Sequence, residues 1–399
     1  MPAPTHFHPR TAALCHSMRW KDWAGYHAVC SYETSHDAEY FAFRHSAGLI
    51  DVSPLFKYDI RGKDAAKYLA RLTVKDVTKF KTGRMTYLCW CDDDGKVVDD
   101  GAVARLGDDH FRLTAAEPSL SWLMRFTRGY DVKIDDVSTK LGALSLQGPN
   151  SRNILKACTD ADMDGLKFFG ITSAKLAGKP VWVSRTGYTG DLGYEIWSDA
   201  PDSVAVYDAI MKAGEAYAIM PCGLDAMDVT RVEAGFIMNG VDYFSAHHCM
   251  IEERKSSPYE LGLGWTVDLD RADGVPFVGQ TALKAEKARG SEWQLVGLDI
   301  DWIETENLFA EYGLPPEVCS KAWRDGKPVY DQTGHWVGMA TSGAWSPILK
   351  KNLALAQVKA AHAKEGTKLR FEMTVEFRRH TVTATVVKTP FYNPPRKRS

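Results

Sequence analysis

The 399-residue sequence contains no run of about 18 apolar residues, the length a membrane-spanning helix requires. Its opening, Met1-Pro2-Ala3-Pro4-Thr5-His6, lacks the charged and apolar regions of a signal peptide. Charge of one sign is also missing. The 49 Lys and Arg residues nearly balance 51 Asp and Glu, and a formal net charge of −2 argues against a broad nucleic-acid surface. The one basic run, Arg396-Lys397-Arg398, is read first as a solvated terminus and second as a source of one cation for an anionic ligand. Cysteine is sparse. Eight residues spread unevenly fit the reduced thiols of a cytoplasm better than a disulfide framework. Cys89 and Cys91 have no second close pair, and His247-His248-Cys249 lacks further ligands at recognisable spacing, so no metal site is expected.

What is present is an ordinary folded composition, 45% hydrophobic and 25% charged, without low-complexity segments. The first thirty or so residues show no period and read as an irregular arm. A helix is expected from Ser35, a good N-cap, to a stop at Gly48. The clearest signal is a hairpin. Residues 85–91 and 96–105 flank Asp94-Gly95, a pair suited to a tight primed turn. Helical patterns at 63–72, 118–128, 204–218 and 224–234 mix with strands at 56–60, 110–114, 142–146, 179–184 and 194–197. After Trp293 the pattern becomes strand-like throughout, which predicts a separate β domain, a barrel or jelly roll.

Three segments carry chemistry. On the second hairpin strand Asp100 shares its face with Val98, Ala102 and Ala104, because alternate strand residues face one way. A carboxylate on an apolar face is costly unless something binds it. Spacing leaves two readings open: a functional acid with a raised pKa, or a carboxylate that caps a turn or pairs with a core Arg. The second segment runs from Arg185 to Glu195, with Gly187, Gly190 and Gly193 at every third position. No Lys-Ser or Lys-Thr follows and a strand succeeds it, so a phosphate loop is disfavoured. The glycines are expected to allow a tight loop against a flat ligand. Glu195 follows on a strand and can accept two parallel N–H bonds from an amidine-like edge; an exposed strand Glu is the bland alternative. In the third segment Leu224, Asp228 and Arg231 fall on one helical face, where a surface Asp228–Arg231 pair would contribute little.

Taken in order, these motifs resemble the aminomethyltransferase family, the glycine-cleavage T-protein and its folate-dependent demethylase relatives. Further anchors are Gly48-Leu49-Ile50-Asp51-Val52-Ser53, Leu146-Gln147-Gly148-Pro149, Glu260-Leu261-Gly262-Leu263, Phe277-Val278-Gly279, Thr341-Ser342-Gly343 with Ser346-Pro347, and Pro390-Phe391-Tyr392. The resemblance covers nearly the whole chain from about residue 33. It implies an α+β fold, a three-domain ring around a central tetrahydrofolate pocket. The expected division is an arm at 1–34, a folate-binding α+β domain at 35–140 with parts of 225–285, a ferredoxin-like domain at 141–224 and a β-barrel at 286–399. By the same resemblance Asp100 matches the catalytic aspartate and Glu195 the residue that holds the pterin edge. Tyr87, Tyr188 and Arg231 match positions lining the pocket. A C-terminal Arg also approaches the folate in the family, and Arg396 or Arg398 fills that role.

Two departures bear on the reaction. The family's Asn-Ala-x-Asn stretch reads Thr114-Ala115-Ala116-Glu117, and the loop at 244–255 is long. With the folate side intact and the donor side altered, the leading expectation is a methyltransferase acting as a demethylase, moving methyl from a small N-, S- or O-methyl donor to N5 of tetrahydrofolate. Aromatic residues Trp20, Trp23, Tyr26, His27 and Trp345 are candidates for that donor side. The first alternative is the T-protein itself, with a lipoyl carrier protein as partner. The second is a non-catalytic folate-binding protein of the iron–sulfur maturation type, against which stands the absence of cysteine between Glu233 and Tyr243. A monomer or homodimer is expected, with neither membrane nor nucleic acid as partner.

Overall fold

The expected hairpin organises a five-stranded sheet in the computed structural model, which describes residues 1–271 and 274–399. Gly95 takes φ +74°, the left-handed conformation the Asp94-Gly95 turn demands. Strands Arg84–Cys91 and Val97–Gly107 then pair antiparallel, with Tyr87 opposite Ala102 and Cys89 opposite Asp100. Strands His110–Ala115, Phe56–Arg61 and Lys133–Asp136 extend the sheet. The helix Ala65–Leu72 lays Tyr68, Leu69 and Leu72 against Trp90, Val103, Phe111 and Leu113. Each such side chain contributes roughly 1.5–3 kcal/mol on burial.

A six-stranded sheet follows, ordered Ile171–Leu176, Lys179–Ser184, Gly193–Asp199, Leu141–Gln147, Ala47–Asp51 and Ile219–Pro221. Only the last pairing is parallel. The expected helix stop at Gly48 is therefore wrong: the helix is Asp37–His45, and Gly48 lies inside the strand. A Cβ there would fall 2.5 Å from the Phe43 ring, so glycine serves close packing rather than termination. The two sheets are joined edge to edge by backbone bonds, Met85 N–H to the Phe169 carbonyl at 2.8 Å and Ile171 N–H to the Gly83 carbonyl at 2.9 Å.

The C-terminal strands close as one barrel, with Trp293–Ile300 paired to both Lys351–Lys359 and Arg378–Val387. The remaining staves are Trp336–Ser346, Lys327–Tyr330 and Lys368–Val375. Between barrel and sheets runs the helix Leu224–Glu233, every residue of which is buried. The N-terminal arm departs from expectation. It folds into the helix His8–Leu14 and an antiparallel pair, Arg19–Trp23 with Tyr26–Ser31. Its periodicity is masked because the helix spans only two turns, with Pro9 in its first turn where no N–H is needed. Phe7 anchors it, fully buried in the core of the six-stranded sheet. Among the described residues no helix is long and apolar enough to cross a membrane, and all eight cysteines are free thiols.

Candidate active site

Adjacent carboxylates on the strand Val97–Gly107 form the centre of the site. Strand parity pointed to Asp100 as the acid in apolar surroundings, yet Asp99 is the fully buried one and Asp100 is half-buried. The reason lies on the other side of the strand, where the segment 238–243 covers Asp99. Asn239 Nδ2 donates to Asp99 Oδ1 at 2.9 Å, and the Glu117 N–H donates to Oδ2 at 3.0 Å. Asp100 instead accepts from two phenols, Tyr87 Oη on Oδ2 at 2.7 Å and Tyr243 Oη on Oδ1. Burial pushes both carboxyls above the usual range, and the Asp100 charge adds to the rise at Asp99. The phenols work the other way at Asp100, since hydrogen bonds to a carboxylate favour its charged form.

The segment that brings Asn239 and Tyr243 to the acids is itself held from behind. Asp242 accepts from Arg231 Nη1 at 2.6 Å, from the hydroxyls of Thr341 and Ser342 at 2.6 Å each, and from the Met238 N–H at 3.0 Å. Arg231 also donates from Nε to Asp228 at 2.7 Å, and Asp228 receives Arg324 at 2.7 Å. The Asp228–Arg231 pair is thus buried rather than the surface pair that helical spacing allowed. Burial opposes the Asp228 charge, but the two guanidiniums outweigh it and hold its carboxyl below the usual value. One edge of Arg231 remains: Nη2 is buried and has no hydrogen-bond partner among the described residues.

Glu195 stands on the neighbouring sheet. Thr186 Oγ1 donates to its Oε2 at 2.9 Å, and Thr186 in turn shares a hydrogen bond with Ser184 Oγ at 2.7 Å. Burial raises the Glu195 carboxyl, against the pull of Thr186 and of the ammonium of Lys57. Lys57 is buried as well, donating to the carbonyls of Ser53 at 2.9 Å and Leu55 at 2.6 Å, and burial lowers it to about 8. Tyr188 stacks on Phe236 with ring centroids 5.5 Å apart and donates to the Ile237 carbonyl at 2.5 Å. Two glycines of this loop pack in a way their spacing did not reveal. A Cβ on Gly187 or on Gly193 would lie 2.0 Å from Gln147 Oε1, so both close on the side-chain amide of Gln147. That amide ties the loop down through the Thr186 carbonyl and the Thr189 hydroxyl.

Of the candidate C-terminal arginines, Arg396 is committed to Asp191 through two hydrogen bonds of 2.7 and 2.8 Å. Arg398 is exposed, near Asn393 and the Phe168 ring. The cation that reaches the Tyr188–Phe236 stack is Lys397, whose ammonium lies 4.8 Å from the Phe236 centroid and is lowered by burial to about 8. Sequence reasoning passed over Tyr243, Asn239 and Lys57, and named Lys397 only within the basic run 396–398. Tyr243 and Asn239 lay in a stretch read only for its missing cysteine. The aromatic donor set is scattered: Trp20 packs with His8 and His27, and Trp345 with Trp302. Trp265, stacked on Tyr87 at 6.2 Å, is the tryptophan at the site. In the long loop, His247 packs beside Trp122 and His248 beside His247, and among the described residues no group of His, Cys, Asp or Glu is placed to hold a metal ion.

These acids, phenols and buried cations occupy a frame shared with known proteins. Residues 7–271 match the GCVT N-terminal domain family, and residues 313–393 match the glycine cleavage T-protein C-terminal barrel domain family. The chain is 37% identical over 359 residues to an aminomethyltransferase of Herpetosiphon aurantiacus, with 89% of each chain covered. It is 35% identical over 359 residues to the aminomethyltransferase of Bacillus subtilis, covering 89% of this chain and 90% of that one. In fold it is similar to the crystal structure of the glycine cleavage system aminomethyltransferase T from Bartonella henselae, with a TM-score of 0.83 at 21% identity over 98% and 99% of the two chains. The chain belongs to the glycine-cleavage T-protein, or aminomethyltransferase, family and is a one-carbon transferase that works with tetrahydrofolate.

Proposed function

We propose that the chain is an aminomethyltransferase that takes its one-carbon unit from a lipoyl carrier protein, with Asp100 as the catalytic carboxylate. The sequence motifs alone favoured a demethylase. Identities of 33–37% to aminomethyltransferases across about nine-tenths of the chain reverse that order. The observation that carries the reading is the carboxylate of Asp100 gripped by two phenols. Tetrahydrofolate, when bound, supplies the nucleophilic nitrogen. Asp100 then favours positive charge on the reacting group beside it and can hold a proton there, a preorganised electrostatic contribution. Glu195 presents Oε1, which has no side-chain donor among the described residues, to the amino-pyrimidinone edge. Tyr87 and Tyr188 flank the ligand, and Arg231 acts chiefly from behind by fixing the segment that carries Tyr243. Lys397, rather than Arg396, is the terminal cation we assign to the ligand side.

The demethylase remains a second reading, supported by one observation. In place of side-chain amides the Thr114–Glu117 stretch offers the Thr114 hydroxyl, which is spent on Ala102, and the Glu117 backbone, which is spent on Asp99. The non-catalytic reading is weakened by Asn239 and Tyr243. Both serve the acid pair from the stretch where a cysteine would be needed. Purified protein given tetrahydrofolate and aminomethylated lipoyl carrier should release ammonia and form methylenetetrahydrofolate. Turnover only with trimethylammonium, sulfonium or methoxy donors would establish the second reading instead.

A further inference from the structure

Lys57, on the strand Phe56–Arg61, is a buried cation that its own contacts do not explain. It is 1% exposed. Its ammonium bonds to the carbonyls of Ser53 and Leu55, which leaves one of its three N–H groups without an acceptor among the described residues. No carboxylate comes within ion-pair distance of it among the described residues. An ammonium is costly to take out of water, and two neutral dipoles offset only part of that cost.

Strand register shows what the ammonium faces. On one face of the five-stranded sheet Lys57 stands beside Thr114, and Asp59 beside Arg112. On one face of the six-stranded sheet Glu195 stands beside Ser145, and Trp197 beside Ala143. Arg112 lies 5.1 Å from the Trp197 ring centroid, so these two faces meet. Glu195 is two residues from Trp197, and Lys57 is two residues from the Asp59 that receives Arg112 at 2.7 Å. A second tie sets their spacing. Ser53, whose carbonyl receives Lys57, accepts the Ala143 N–H on its hydroxyl at 3.1 Å, two residues from the Ser145 opposite Glu195.

The charged groups around Lys57 are Asp51, Arg112, Glu195 and Asp136. Asp51 already accepts from the Thr5 hydroxyl at 2.6 Å and the Ser53 N–H at 2.9 Å. Glu195 has the Thr186 hydroxyl alone as a side-chain donor among the described residues. Burial raises its carboxyl, and after Thr186 the cation that opposes the rise is Lys57.

We propose that Lys57 is a positioning residue for the pterin-binding carboxylate: its ammonium, acting across the gap between the two sheets, holds Glu195 in the ionised form that accepts both N–H groups of an amino-pyrimidinone edge. A protonated Glu195 would turn an O–H toward a donor and lose one of the two bonds. The inference rests on the proposed function only in giving Glu195 the pterin.

The test reads the carboxyl directly, in the ligand-free full chain. Glutamate labelled with carbon-13 at the side-chain carboxyl gives a Glu195 signal, identified by its loss in Glu195→Gln and followed by NMR as pH is varied. Lys57→Met keeps the apolar stem and removes the charge, so the Glu195 midpoint should rise by about one pH unit or more. An unchanged midpoint overturns the inference. If Lys57→Met does not fold, the reciprocal variant decides, because the coupling is mutual. Glu195→Gln should lower the Lys57 midpoint below its wild-type value of about 8, read at a labelled ε-methylene carbon, and an unmoved value overturns the inference equally. Binding supplies the functional arm, with 5-formyltetrahydrofolate as probe because it keeps the pterin edge and lacks a basic N5. For a rise of one pH unit, Lys57→Met should bind it about fivefold more weakly at the wild-type Glu195 midpoint. In the Glu195→Gln background the same substitution should add nothing, and an equal loss in both backgrounds overturns the inference. Failure of the proposed function shows separately, as Glu195→Gln binding the probe as tightly as wild type. The carboxyl titration then still decides whether Lys57 holds Glu195 ionised.

Discussion

At the scale of single residues, Asp100 combines a raised carboxyl with two donors that oppose the rise. Removing one donor, as in Tyr243→Phe, stabilises the protonated form, so the acid limb of the pH–rate profile should move to higher pH. An unchanged limb would show that Asp100 does not control it. Linkage gives a second outcome with a definite sign. A carboxyl whose folded pKa lies above its unfolded value leaves the unfolded chain binding fewer protons, so stability falls as pH rises between the two. Asp100→Asn removes that burden and should raise Tm at pH 7–8 by roughly 2–4 °C, about 1 kcal/mol, even as it slows turnover about 100- to 1000-fold. Calorimetry checks the first effect and a transfer assay the second. Glu195→Gln loses a charge-assisted pair and should weaken tetrahydrofolate binding by about tenfold to a hundredfold.

At the scale of elements, strand parity and turn chemistry were legible, and the hairpin, the helix at 224 and the barrel strands appear close to where periodicity puts them. What parity could not reveal was which acid a distant loop would cover. Asp99 is buried by 238–243, more than 130 residues away in sequence, and the phenol of Tyr243 arrives by the same route. The glycine spacing from 187 to 193 was visible, but its occupant was not, because Gln147 comes from another strand. The two-turn N-terminal helix was illegible because a short helix makes few periodic contacts. Gly193→Ala tests the Gln147 clamp. Its new Cβ has no room beside that amide, so stability should drop by about 1–3 kcal/mol, read from denaturant unfolding. Loss of the bond from Thr186 would also loosen Glu195 and lower folate affinity.

At the scale of the whole molecule, buried charge joins the parts around the helix Leu224–Glu233. Glu233 accepts from Tyr40 at 2.6 Å, from Arg44 at 2.5 and 3.0 Å, and from Ser346 on the barrel at 2.5 Å. Arg44 also lies over the Tyr392 ring at 4.3 Å and 3.6 Å from Asp191, which holds the terminal tail through Arg396. Arg44→Met takes the buried guanidinium away from the carboxylates of Glu233 and Asp191 and should cost about 3–5 kcal/mol. The tail and Lys397 should loosen together, seen as faster amide exchange over 389–399. The active site lies where the two sheets and the segment ahead of the barrel meet, so its geometry depends on this network as much as on the site residues themselves.

The account stands most directly on whether the Asp100-centred site delivers a carbon to tetrahydrofolate. The decisive measurement is single-turnover transfer from aminomethylated lipoyl carrier to tetrahydrofolate, followed by released ammonia, in wild type and Asp100→Asn. Wild type should complete the transfer, and the variant should be slowed about 100- to 1000-fold with tetrahydrofolate still bound. Equal rates in the two proteins, or no transfer by wild type from the carrier, would contradict it.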